Sequence, residues 1–148
     1  MGTYTYEHPR PSVTVDIVVF HARPNSLQVL LIQRAREPYQ DTWALPGGFV
    51  EMHESLEATA RRELQEETGL SVPSLEQLGA YGDPERDPRG RVISIAYMAV
   101  LPEEADSQVV GASDASRAAW FPINDLPPLA FDHNKILRDA RRNLLSRY

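Results

Sequence analysis

Five ionisable residues within one short stretch, Glu54, Arg62, Glu63, Glu66 and Glu67, present the clearest opportunity for chemistry in this chain. An α-helix advances about 100° per residue. On such a helix Glu63 and Glu67 lie about 40° apart, with Glu66 about 60° to the other side of Glu63. Three carboxylates then share one face. Neither Glu63 nor Glu67 has a lysine or arginine one turn away. Like charges at that spacing repel by about 0.2–0.5 kcal/mol. They also crowd the helix C-terminus, where the dipole disfavours anions. A helix built only for stability would avoid this arrangement. A divalent cation reverses the argument, because hard cations seek clustered carboxylate oxygens. The chemistry such a face could serve is divalent-cation binding, although on the helix alone a solvated acidic face is the better reading.

Such a face needs a helix with a start, a stop and a buried side. Ser55 is a suitable N-cap and Glu57 is favourable in the first turn. Leu56, Ala60 and Leu64 form an apolar stripe at four-residue spacing. Gly69 suits the left-handed residue that ends a helix. The stripe abuts the acidic face, which puts the carboxylates at the edge of a cleft. Upstream, residues 13–20 and 27–34 read as strands of a hairpin around a turn at 21–26. Asp16 interrupts the first apolar run. Further strands are expected over 75–81, 92–101 and 117–123. A final helix is expected after Asp132 as its cap, with Ile136, Leu137, Ala140 and Leu144 inward. The class is α/β, a mixed sheet with two main helices.

Residues 48–70, GFVEMHESLEATARRELQEETGL, resemble the Nudix box: Gly, five residues, Glu, seven residues, Arg-Glu-apolar-any-Glu-Glu-any-Gly-apolar. Gly48, Glu54, Arg62, Glu63, Leu64, Glu66, Glu67, Gly69 and Leu70 meet every fixed position. This is a far stronger signal than a lone glycine-rich loop. The lead-in Trp43-Ala44-Leu45-Pro46-Gly47-Gly48 and the late Trp120-Phe121-Pro122 are also similar to the family's. His53 departs from the commonest form, where glycine is frequent. The resemblance implies a Nudix-type α/β/α sandwich with a mixed central sheet, as one domain over 1–148.

It also implies a site. Magnesium, or manganese in its place, would be held by Glu63, Glu66 and Glu67, with the Gly48 carbonyl and Glu54 as further ligands. Arg62 would orient the box carboxylates, since it can reach Glu66 one turn on. The proton acceptor would be Glu63 or a loop acid, Asp114 being preferred over Glu103, Glu104 and Asp106. Arg34 and Arg36, on alternating positions, are candidate phosphate contacts, and an ordinary pair of edge charges is nearly as good a reading. Arg89, with Arg86 and Arg91, could grip phosphate or ribose, or merely balance Asp83 and Asp87. Trp43 and Phe131, with Tyr39 and Tyr97, are candidate adenine platforms, although each aromatic is more often core.

Composition narrows the field. The chain has 148 residues, 42% hydrophobic and 24% charged, as in soluble globular domains. It has no cysteine, hence no disulfide framework and no thiol nucleophile. No apolar run suggests a signal peptide or a membrane span, so a cytoplasmic protein is expected. A net charge of −6 disfavours binding to a nucleic acid polymer through a basic surface. Handling a phosphate anion then requires local cations.

Residues 81–97 and 126–133 are similar to the bacterial ADP-ribose pyrophosphatase group. That implies hydrolysis of a nucleoside diphosphate linked to another moiety, ADP-ribose giving AMP and ribose 5-phosphate. One rival is a MutT-like nucleoside triphosphate pyrophosphohydrolase, because the box supplies metal and not specificity. Another is a non-catalytic nucleotide-sensing Nudix domain, as in regulators that fuse it to a winged-helix module. With the chain ending at Tyr148, no room for that module is expected. A homodimer is the default that the resemblance group implies.

Overall fold

The computed structural model describes residues 3–147. Its longest hairpin joins β1 (Ser12–Arg23) to β2 (Ser26–Arg34) through Pro24 and Asn25. The turn is shorter than the sequence predicts. His21 continues β1, is 1% exposed, and sets its ring 5.3 Å from that of Trp120. Two short strands follow, β3 (Trp43–Ala44) and β4 (Gly47–Phe49), then β5 (Glu76–Tyr81), β6 (Val92–Leu101) and β7 (Ala115–Pro122). The sheet runs β3-β2-β1-β6-β5, with β4 paired to β1 and β7 to β2. β1 and β6 are parallel and the other pairs antiparallel, so the sheet is mixed.

β1 is covered on both faces, which is why it reads as a nearly continuous apolar run. Its odd positions Val15, Ile17 and Val19 pack with Ala60 and Leu64 of α1 (Leu56–Thr68). Its even positions Val18 and Phe20 pack with Ile136, Leu137, Ala140 and Leu144 of α2 (His133–Leu145). One helix thus covers each face, giving an α/β/α sandwich. The same period of two puts Asp16 on the α2 face, where it is buried. Tyr97, weighed above as an adenine platform, is buried in the core on the α1 side of β6. That face of the strand is covered by the α1-side core, and the ring does not reach the cleft.

Two caps fix the rotation of α1. Ser55 Oγ accepts the Ala58 N–H at 3.1 Å. Gly69 ends the helix at φ 75° and donates to the Gln65 carbonyl at 2.9 Å. The start of α2 differs from expectation. Asp132 stands at the N-cap position but makes no capping bond. Its carboxylate goes to Arg86 instead, which bonds it twice, at 2.9 and 2.7 Å. A bidentate ion pair outweighs one neutral backbone donor. Among the described residues, no helix is long and apolar enough to cross a membrane.

Candidate active site

A cleft of about 380 Å³ opens where β4, the second half of α1, the 83–91 loop and the start of α2 meet. Glu63, Glu67 and Asp114 line it, as do Arg34, Arg36 and Arg89. Acidic and basic side chains therefore share a single cavity.

The acidic side follows from how α1 meets the 45–48 loop. Glu67 is 4% exposed, and its Oε1 accepts the Gly47 N–H at 2.8 Å. Burial pushes this carboxyl up to about 8, against the Gly47 bond and with help from the charges of Glu63, Asp114 and Asp16. Glu63 is raised too, by burial first, while Arg62 opposes and Glu66 and Asp114 add repulsion. Gly48 is pressed against Glu63. A Cβ on Gly48 would lie 2.5 Å from the Glu63 carboxyl carbon. Only glycine lets the backbone and that carboxylate share this space.

These features fit a hard divalent cation. A buried carboxylate and a half-buried one repel one another beside a backbone held within touching distance, and a cation relieves that cost. Among the described residues, no three acidic or histidine side chains form a ready cage. Magnesium does not need one, since waters and substrate phosphates complete its octahedron.

Gly48→Ala tests the close approach. The added methyl must displace Glu63, so activity should fall, and the magnesium concentration for half of the thermal shift should rise, each at least about tenfold, the scale of a disturbed ligand shell. The metal-free melting temperature should change little. Retention of both properties would show that Glu63 has room to spare.

Arg62 holds the remaining box acids. It bonds Glu54 through Nε at 2.6 Å and Nη2 at 2.9 Å, and through Nη1 reaches Glu63 at 3.0 Å and Glu66 at 3.2 Å. The Arg62 hydrogen bond, with Thr59 adding another, holds Glu54 down at about 2 despite some desolvation. Glu54 and Glu66 lie outside the cleft lining, and Glu66 is exposed. The structure thus separates the box acids into Glu63 and Glu67 within the cleft, and Glu54 and Glu66 clasped by Arg62 behind it.

On the basic side, a register shift between Gln33 and Arg34 breaks the β2–β7 ladder. Such a bulge re-aims a side chain. Arg34 donates through Nε to the Pro38 carbonyl at 2.7 Å and lies 5.0 Å from the Phe131 ring centre. Burial and the Arg89 charge lower its pKa, while Glu67, Asp87 and Asp114 oppose. Arg89 is held by Asp87 at 3.0 and 2.7 Å and lies over Phe49, 4.8 Å from the ring centre, and near Phe131 at 5.5 Å. Arg36 is exposed and 3.5 Å from Asp114. Phe131 sits at φ 52°, with Tyr39 tilted against it at 4.7 Å and φ 61°. Left-handed backbone on bulky residues costs on the order of 1–3 kcal/mol each and collects at ligand sites. Trp43 is placed elsewhere: it packs edge-on to Phe121 at 4.8 Å, and it does not line the cleft.

Sequence reasoning missed Asp16 and His133 on the cleft floor, and it gave Arg86 other partners than the Asp132 and Asp16 it is paired with. Asp16, His133 and Arg86 all line the cleft and all are buried. Asp16 accepts from Ser94 Oγ at 2.5 Å and lies 3.3 Å from His133 Nε2 and 3.7 Å from Arg86 Nη2. Burial pushes Asp16 up, but His133, Ser94 and Arg86 outweigh it and hold the carboxyl below its ordinary value. The available signal was an aspartate in an otherwise apolar strand, since a buried charge needs partners.

A NUDIX domain model matches residues 10–140. An ADP-ribose pyrophosphatase of Methanocaldococcus jannaschii is 42% identical over 89% of this chain and 74% of its own length. An ADPR-responsive transcriptional repressor of Acinetobacter baylyi is 39% identical over 96% of this chain, which spans only 58% of that protein. Among solved structures, the NUDIX domain of Shewanella oneidensis NrtR, crystallised with ADP ribose, superposes with a TM-score of 0.84. It is 37% identical, over 93% of this chain and 90% of that one. The chain belongs to the Nudix family. With an intact signature and these relatives it is a Nudix pyrophosphohydrolase.

Proposed function

We propose that this protein hydrolyses ADP-ribose to AMP and ribose 5-phosphate with a divalent cation, magnesium or manganese. One observation carries the reading. A single cleft sets Glu63, Glu67 and Asp114 against Arg34, Arg36 and Arg89, with Phe49 and Phe131 beside the arginines. A nucleoside diphosphate linked to a sugar offers a charge for each side and rings for the aromatics. The pyrophosphatase relative and the ADP-ribose-bound NrtR domain support the same substrate.

Glu63, Glu67 and the Gly48 carbonyl would hold the cation. When bound, it neutralises phosphate oxygens and acidifies water. The protein's own groups do the rest. Arg34 and Arg36 bind phosphate oxygens, and Arg89 binds the sugar end, where planar forked donors suit hydroxyls and phosphate. Water oxygen bonds to one phosphorus as the bridging P–O bond breaks. The proton passes to a cleft carboxylate, Glu63 Oε or Asp114 Oδ. Arg36 pairs with Asp114 in the free protein. A phosphate that engages Arg36 therefore frees Asp114 to act. Chromatography of the products tests the reading: AMP and ribose 5-phosphate in equal amounts support it, and intact ADP-ribose after incubation with either metal refutes it.

The 39% identity to the repressor favours a second reading, a domain that binds ADP-ribose and senses it. Binding by calorimetry without turnover is its signature.

Arg89→Ala separates specificity from chemistry. Losing a contact made equally in ground and transition states raises KM while leaving kcat. KM for ADP-ribose should rise about 10-fold, one charge-assisted contact of about 1.5 kcal/mol, with kcat within about 2-fold. Steady-state kinetics unchanged in both constants would reduce the 83–91 loop to a solvated turn.

A further inference from the structure

We propose that His133 is a positioning residue for this site, acting on the 45–48 loop through its Nδ1 atom. The proposal rests on the reading of Gly48 and Glu63 as the metal end of the cleft. His133 Nδ1 accepts the Leu45 N–H at 3.0 Å. With Nδ1 accepting, the proton is on Nε2, which lies 3.3 Å from Asp16 Oδ1. Ser94 and Arg86 hold Asp16 in turn, and Asp132 holds Arg86. An imidazole that swung away would take a polar neighbour from the buried Asp16 Oδ1.

The C-terminal half of the 45–48 loop, Gly47 and Gly48, is held in β4 by its pairing with Asp16 and Val15 of β1. Gly47 N–H goes to Glu67 and the Pro46 carbonyl accepts from Ile17 at 2.9 Å. Pro46 has no N–H to offer. Leu45 lies between the β3 and β4 pairings, and its N–H ties that intervening turn to α2, three residues before Gly48. Gly47 is already in contact with Asp16, where a Cβ would lie 2.8 Å from Oδ1. The β1 pairing holds Gly48 from one side, and His133 holds the turn that leads into it, so the two together set the Gly48 backbone against Glu63. Leu45 and His133 are 88 positions apart in sequence, so no local spacing foretells the contact.

Two near-isosteres separate the links. Asn at 133 puts an amide oxygen near the Nδ1 position and keeps the Leu45 bond while losing Asp16. Gln reaches toward the Nε2 position, keeping Asp16 while losing Leu45. Each variant, with His133→Leu as the double loss, is read in three ways: ADP-ribose kinetics, the magnesium concentration for half of the thermal shift, and amide exchange at Leu45. His133→Gln and His133→Leu should lower kcat and weaken magnesium half-saturation about 10-fold or more, the usual cost of losing a partner behind a ligand. KM for ADP-ribose should stay within about 2-fold, because uniform binding is untouched. Leu45 exchange should accelerate in both. His133→Asn should restore kcat and magnesium response to within about 3-fold of wild type, on the same scale. If His133→Leu does not fold, the Asn and Gln pair decides alone. Equal behaviour of Asn and Gln, whether both active or both impaired, overturns the proposal. If wild type turns over no ADP-ribose, the proposed function falls, while the magnesium and exchange readings still decide the role of His133.

Discussion

Glu67→Gln should abolish turnover, lowering kcat on the order of 10³-fold or more, the scale of losing a preorganised charge aimed at the reacting centre. The fold should survive. Glu67 is buried, and its Oε1 takes the Gly47 N–H, a bond that a glutamine oxygen can keep. Burial raises this carboxyl to about 8 without metal, so near neutrality it is already mostly protonated and glutamine resembles it. The stability consequence has a definite sign. A raised carboxyl stabilises fully below its unfolded value, 4.5, and loses that contribution as pH rises through about 8. Metal-free wild type should therefore lose stability between pH 5 and 8.5 relative to the variant, by at most about 5 kcal/mol at one unit per 1.4 kcal/mol. Magnesium should remove that loss in wild type and do nothing for Glu67→Gln. Near-normal kcat for the variant at saturating magnesium would refute the metal assignment.

Arg86→Ala should be the most destabilising single change in the cleft. Arg86 is buried between Asp132 and Asp16. Removing one member of a buried ionic cluster leaves the others uncompensated, at about 3–5 kcal/mol. For a chain of this size that lowers the melting temperature by roughly 10 °C. The deficit should shrink in acid. Asp16 is held below its ordinary value in wild type, so its contribution is present above that value and fades as pH falls. Without Arg86 there is less to lose. Urea unfolding at pH 7 and pH 4 reads both effects. A deficit under about 1 kcal/mol at pH 7 would mean that water solvates the cluster, as at exposed pairs.

The acidic end of the cleft was legible because it is local. Glu63 and Glu67, the Ser55 cap and the Gly69 stop lie on one helix, whose period turns spacing into geometry. The helix faces were legible for the same reason, and Ile136, Leu137, Ala140 and Leu144 are the buried side of α2. The floor was not, because Asp16, Arg86, Ser94 and His133 meet only after the sheet forms. Asp16 read as a flaw in a strand, and Asp132 as a cap. Their partners arrive from a loop and from the far end of the chain. Aromatics carried the weakest signal. Tyr97 and Phe131 are similar in size, but one lies on an interior strand and the other on a left-handed turn at the cleft. Periodicity cannot separate them.

The central claim is that the arginine side of the cleft selects a nucleoside diphosphate joined to a sugar. The most direct measurement is kcat/KM for ADP-ribose, sugar nucleotides, dinucleoside polyphosphates and oxidised nucleoside triphosphates, each with magnesium and with manganese, by phosphate release after phosphatase coupling. ADP-ribose should lead the panel by at least about tenfold, the discrimination of one well-placed polar contact. Preference for an oxidised triphosphate over ADP-ribose would contradict the account.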